Sequence, residues 1–340
     1  MQKSTSIENT IISAVKNFAA SINANSKVVA DMSELADLTV DLPLANFDYW
    51  EKLIRTEFSN SLHNQVNSNL NFRSRPKELL TWLDIISWDG YRREKTLRTI
   101  SGAAPNAFFF SLVLRRLNDW VPQVRKAARE KLPELAKATA PIHVIEALCV
   151  SATNWHSWGR IESVDKEIIL QIMQQDTLID LFKTKLISSA SGPMATLFSQ
   201  LGRTNIVDKY IEEIASFAKQ PFVRAKAYRC LFERKMSWSD GVRWEWTDKR
   251  YCQGHYITII SERKLSQEIP ITDLLVRASA DRSSIVRRVA AEFLIKELDN
   301  LGDTAMAFAD TFALDTAKSV SERGQFALKA RRETEAKNAS

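Results

Sequence analysis

The stretch from Asn118 to Leu135, NDWVPQVRKAAREKLPEL, returns in outline from Asp281 to Leu298, and this recurrence constrains the fold more than any other feature. Asp119 opens a turn, Pro122 suits a first helical turn, and Val124, Ala127, Ala128, Leu132 and Leu135 recur at helical spacing. The second copy carries Asp281, then Val286-Arg287, then Ala290, Ala291 and Leu294. Upstream of the first, Ala107 to Leu117 reads as an apolar helix, so the unit is two helices joined by a short turn. An Asp ahead of an Arg in this arrangement lets the carboxylate cap a helix start while the guanidinium ladders to the neighbouring unit. A lone helix pair cannot bury its apolar stripe, so such units stack.

The unit recurs with a period. Lys77 to Ile86 reads as a first helix, Asp89-Gly90 as its turn, and Arg92-Arg93-Glu94 opens a second helix through Leu97 and Ile100. Arg125 follows Arg93 by about 32 residues, Arg224 follows Arg125 by about three such periods, and Arg287 follows Arg224 by about two. That spacing predicts degenerate turns near 157, 192 and 256, and about six or seven helix pairs. Apolar helices are expected at Ile168–Met173 and Met194–Leu201. Residues 1–75 lack the pattern. They hold an amphipathic N-terminal helix, a second one at Asp48 to Leu62, and an Asn/Ser-heavy loop or bend from Asn60 to Ser74. The run from Lys329 to Lys337 reads as a frayed, solvated tail.

The Asp, Val-Arg, small-residue order resembles the HEAT-repeat family, over about residues 77–300. The resemblance implies an all-α chain, an α-solenoid of stacked antiparallel helix pairs. The expected organisation is an N-terminal helical cap at 1–75, a repeat array at 76–316, and a C-terminal helix or basic tail at 317–340. Composition agrees: 9 Gly and 9 Pro in 340 residues leave little for long loops, and 45% hydrophobic with 26% charged residues is ordinary for a folded chain. The first 18 or so residues read as an amphipathic helix, not a signal peptide, and no window of roughly 18 apolar residues spans a membrane. Cys149, Cys230 and Cys252 lack CxxC spacing, which fits a reducing cytoplasm with Cys149 and Cys230 in the core.

One segment breaks the rhythm. Ser237 to Ile260 packs Trp238, Trp244, Trp246, Tyr251 and Tyr256 among Arg243, Lys249 and Arg250. Alternation in VRWEW and HYITII predicts a small β-hairpin insert near 242–260. Two readings stand: the tryptophans fill a gap between helix pairs, or they form a protruding recognition element.

Arg93, Arg125, Arg224 and Arg287 would fall at equivalent places along one side of the array. Either they form a structural ladder, or they line an inner groove for an acidic partner or a phosphate backbone. The net charge of +6 permits both. The four histidines are dispersed, and no HExxH, GxxxxGK[ST], GxGxxG or GxSxG motif occurs, so no catalytic residue, metal or cofactor is assigned. Asn154 to Trp158 sets His156 between tryptophans, with Glu162 and Asp165 as the local acids. Among HEAT-like proteins, the bacterial alkylpurine DNA glycosylases use a carboxylate beside aromatic residues. Trp82/Asp84, Trp88/Asp89 and Trp120/Asp119 imitate such a pair without matching a motif.

The expectation is a non-enzymatic, cytoplasmic binding or adaptor protein whose concave solenoid surface holds a macromolecular partner, a protein in the first instance and with no membrane. Expected contacts are Arg93, Arg125, Arg224, Arg287, Trp244, Trp246, Lys249, Arg250 and Tyr251. The alternatives are a DNA-binding protein or glycosylase, and an immunity or accessory subunit that blocks one protein partner.

Overall fold

The computed structural model describes residues 2–24, 31–68 and 80–338. They are mostly helical, with one two-stranded antiparallel sheet. The chain divides into two compact units, Met1–Leu178 and Ile179–Ser340, a division the sequence does not announce.

The first unit begins with α1 (Gln2–Ala24), α2 (Ser33–Thr39) and α3 (Phe47–Ser68). α1 packs on α3 by burying Ile11, Val15, Phe18 and Ile22, the apolar stripe expected of an amphipathic helix. α3 continues beyond the point where the Asn/Ser-heavy run predicts a bend, up to Ser68. Residues 69–74 of that expectation lie outside the described residues. Weak helix propensity gives way here to the packing of Trp50, Ile54 and Phe58.

The expected first helix from Lys77 is corrected in part. Residues 77–79 are not described, and the remainder is a 3₁₀ turn, Trp82–Ile86, opened by a Thr81/Asp84 capping box. α4 (Gly90–Thr99) follows with Asp89 as its cap, then α5 (Ala107–Arg115), α6 (Pro122–Ala138), α7 (Pro141–Asn154) and α8 (Ser163–Met173). Pro122 and Pro141 occupy helix starts, where no N–H is needed. α5 packs on α7, while α4 packs on α6 and α6 on α8, so alternate helices share a layer.

α9 (Asp176–Ser188) leads into the second unit: α10 (Met194–Leu201), α11 (Ile211–Phe217), α12 (Pro221–Glu233), β1 (Lys235–Asp248), β2 (Gln253–Lys264), α13 (Ile271–Ser279), α14 (Ser284–Lys296), α15 (Leu298–Leu301), α16 (Asp303–Ala313) and α17 (Lys318–Asn338). α12 packs on α14 and α14 on α17, with α11, α13 and α16 paired to them in turn. Three expectations are corrected in this unit. The turn near 256 is absent because Tyr256 lies within β2, and the hairpin is longer than 242–260. The run from Lys329 belongs to α17, whose Val320 and Ala327 are fully buried, so it continues a packed helix. Among the described residues no helix is long and apolar enough to cross a membrane.

Candidate functional site

Arg234 ends α12 in the left-handed region (φ 51), and the chain leaves directly as β1. The two strands pair from Lys235 opposite Lys264 out to Asp248 opposite Gln253, with irregularities at Ser239/Gly241 and Trp246/Asp248. The root is held firmly. Met236 is fully buried against Gly202, where any Cβ would strike its side chain. Arg263 grips Asp208 with two bonds of 2.6 and 2.8 Å and donates to the carbonyls of Gly202 and Thr204. Arg203 pairs with Asp240 at 2.5 Å and donates to the Ser239 carbonyl at 2.9 Å. Lys226 donates to the Ser237 carbonyl at 2.8 Å.

Beyond Gly241 the hairpin is exposed on both faces. Trp244 and Trp246 are 41% and 49% exposed, so neither fills a gap between helices. Trp244 stands opposite Tyr256 and meets it edge-on with ring centroids 4.9 Å apart; Trp246 meets Trp244 at 5.5 Å. Gly254 makes the cluster possible, because a Cβ there would lie 2.6 Å from the Trp244 ring. The tip, 249–252, is ordered by the Asp248 carboxylate, which accepts from the Arg250 and Tyr251 amides at 2.8 and 3.3 Å. Lys249, Arg250 and Tyr251 are therefore displayed outward, Tyr251 at 75% exposure. Val242, Ile259 and Ile260 add exposed aliphatic surface. An outlying ribbon with this much apolar area, on a hairpin of only two strands, is not a self-sufficient structure.

The repeat arginines are placed differently. Each donates from Nη1 to the carbonyl six residues earlier: Arg93 to Ser87 (2.8 Å), Arg125 to Asp119 (3.0 Å), Arg224 to Ala218 (2.7 Å) and Arg287 to Asp281 (2.9 Å). Three of them also make two bonds to an aspartate further along the chain: Arg93 to Asp119, Arg224 to Asp281 and Arg287 to Asp315. Arg125 uses Glu162 instead. Each of these aspartates also accepts from the amide two residues on, at Val121, Ser283 and Ala317, and so fixes the next helix start. Arg93 is 8% and Arg224 1% exposed, so these two offer a partner almost no surface; their donors are consumed internally.

Burial pushes the Asp119 carboxyl up, but Arg93, the Val121 amide and Arg116 outweigh it and hold it below the usual range. Burial likewise opposes, and Ser261 and Arg203 overcome, at Asp240; at Asp315 the Arg287 bonds dominate. Depressed folded-state values contribute stability above the unfolded carboxyl pKa of about 4, and this is lost as pH falls through the folded values. The melting temperature should thus be flat from neutral pH down to about pH 5 and fall steeply below about pH 4. A flat profile to about pH 3 would contradict these directions.

The carboxylates weighed for catalysis are also occupied. Asp84 binds Thr81 and Arg92, Asp89 caps α4, and Asp119 serves the ladder. Trp155 and Trp158 are buried while His156 is exposed, and Glu162 and Asp165 bind Arg129. Among the described residues, no group of three or more His, Cys, Asp or Glu side chains is placed to hold a metal ion. The arginines that root the hairpin, Arg203 and Arg263, escaped the sequence reading, because neither lies in a repeat motif. No family model matches the chain, and no curated protein or solved structure is significantly similar to it.

Proposed function

We propose that this is a binding protein of HEAT-like helix pairs that captures a protein partner through the outer half of the 235–264 hairpin. The observation that carries the reading is the contrast within the hairpin. Its root is clamped by Arg203 and Arg263, while Trp244, Trp246, Tyr251 and Tyr256 stand exposed beyond it. Trp, Tyr and Arg are the residue types that dominate interface energetics. A protein suits the surface better than nucleic acid does. Val242, Ile259 and Ile260 interleave with the aromatics, and Arg243, Lys249 and Arg250 are offset by Glu245 and Asp248. The Arg-Asp ladder is the support for HEAT-like stacking, and it moves the proposed contact from the repeat arginines to the insert. With Cys149 and Cys230 buried and outside any disulfide, a reducing cytoplasm fits the same reading.

Capture from native extract tests this with the full chain and its Trp244→Ala/Trp246→Ala variant. A specific protein should be retained by the former and lost by the latter, a drop of about 100-fold or more in affinity, with melting temperatures within roughly 2 °C. Equal capture by both chains overturns the proposal. So does steeply salt-dependent binding to duplex DNA that the two tryptophans support.

A further inference from the structure

The hairpin is a sheet of two strands, so each strand leaves one edge unpaired, and an unpaired edge is a template for another strand. Along β1 the backbone is treated in two ways. At the root, Lys226 and Arg203 take the Ser237 and Ser239 carbonyls. From Val242 to Thr247 every residue is exposed, and among the described residues no side chain bonds to the backbone there. The irregularities at Ser239/Gly241 and Trp246/Asp248 bound this stretch, which leaves Val242–Trp246 as its regular part.

The sequence of that part, VRWEW, complements itself when two copies run antiparallel. With a two-fold axis through Trp244, Arg243 meets Glu245 of the second copy and Glu245 meets its Arg243. Val242 meets Trp246 twice, and Trp244 meets its own counterpart. Moving the axis to Arg243 or to Glu245 sets like charges directly opposite, so charge selects one register. Both side chains are available for this. Among the described residues Arg243 and Glu245 make no ion pair, and across the hairpin they stand opposite Ile257 and His255. β2 carries no comparable signal, since Gln253 to Ser261 contains no Asp, Glu, Lys or Arg to set a register.

We propose that the partner of the outer hairpin is a second copy of this chain, joined along β1 about a two-fold axis through Trp244. The product is a four-stranded sheet in the order β2-β1-β1-β2, with Trp244, Trp246 and Tyr256 of both copies on one face. This inference rests on the hairpin being an interface, and it names what the interface holds.

Sedimentation velocity of the full chain over a concentration series tests it. The parent should pass from monomer to dimer as concentration rises. Arg243→Glu and Glu245→Arg should each weaken the dimer by at least about tenfold, because each sets two like-charged pairs across the axis. An equimolar mixture of the two variants should form a heterodimer about as tight as the parent dimer, since every facing pair is then opposite in sign. One chain carrying both changes should likewise dimerise. Both positions are exposed, so the melting temperature of every variant should stay within roughly 2 °C of the parent. A monomeric parent, a dimer indifferent to both reversals, or single variants that fail to recover on mixing would overturn the inference. If the parent is monomeric while capture from native extract still depends on Trp244 and Trp246, the interface stands and its partner is a different protein. If both self-association and capture are absent, the inference and the interface fall together.

Discussion

Replacing Asp281 by alanine is expected to destabilise the second unit by about 3–5 kcal/mol, because it strands a buried guanidinium. Arg224 is almost wholly enclosed, and its Nε and Nη2 both end on Asp281, at 2.8 and 2.9 Å. Among the described residues no other acceptor is bonded to those donors, and the Ser283 amide loses its cap as well. In a unit of this size the loss corresponds to a fall in melting temperature of roughly 10 °C or more. Urea titration followed by tryptophan fluorescence reads it as a lower midpoint. The double change Arg224→Met with Asp281→Leu should recover most of the loss, since replacing a buried pair by apolar groups is close to neutral. A single-variant effect under about 1 kcal/mol would mean that Arg224 is not held as described.

Asp119→Ala should be as damaging in the first unit, by about 3–5 kcal/mol, for a related but distinct reason. This carboxylate serves two buried arginines and a helix start. It accepts from Arg93 at 2.7 and 2.9 Å, from Arg116 at 3.4 Å and from the Val121 amide at 3.0 Å. Its loss leaves Glu51, among the described residues, as the one carboxylate paired within the Arg55, Arg93 and Arg116 group. Asp119→Asn keeps the cap and one acceptor while removing the charge, so it should fall between wild type and alanine in the same urea titration. Equal stability of all three chains would contradict the network.

These two aspartates show how far the sequence is informative. Both were marked by their place ahead of Val-Arg, and their double duty as cap and ladder partner follows from that spacing. Asp315 does the same work for Arg287, yet its surroundings, LDTAKS, lack the Val-Arg that would flag it. Glu51 and Arg116 were invisible for another reason: the contact joins residues far apart in the chain, and no local pattern encodes it. The helical stretch of α3 up to Ser68 and the part of α17 from Lys329 were misread because their Asn, Ser, Lys and Glu are weak or solvated types. Their register is set by the apolar residues they carry inward, Ile54 and Phe58 in one and Val320 and Ala327 in the other. The hairpin was visible through its period-two alternation. Its length was less so: Lys235 to Ser239 keeps the alternation through Met236 and Trp238, but the returning Ser261 to Lys264 is polar and is fixed by contacts at the root.

On the function proposed above, the outer hairpin belongs to a partner's interface and not to the protein's own core. The direct test is a chain in which an Asn-Gly turn joins Gly241 to Ile259, which stand opposite each other in the sheet. The expected result is a melting temperature within roughly 2 °C of the parent, an intact Arg203 and Arg263 root, and no capture of the partner. A chain that unfolds, or one that still holds its partner at full strength, would contradict it.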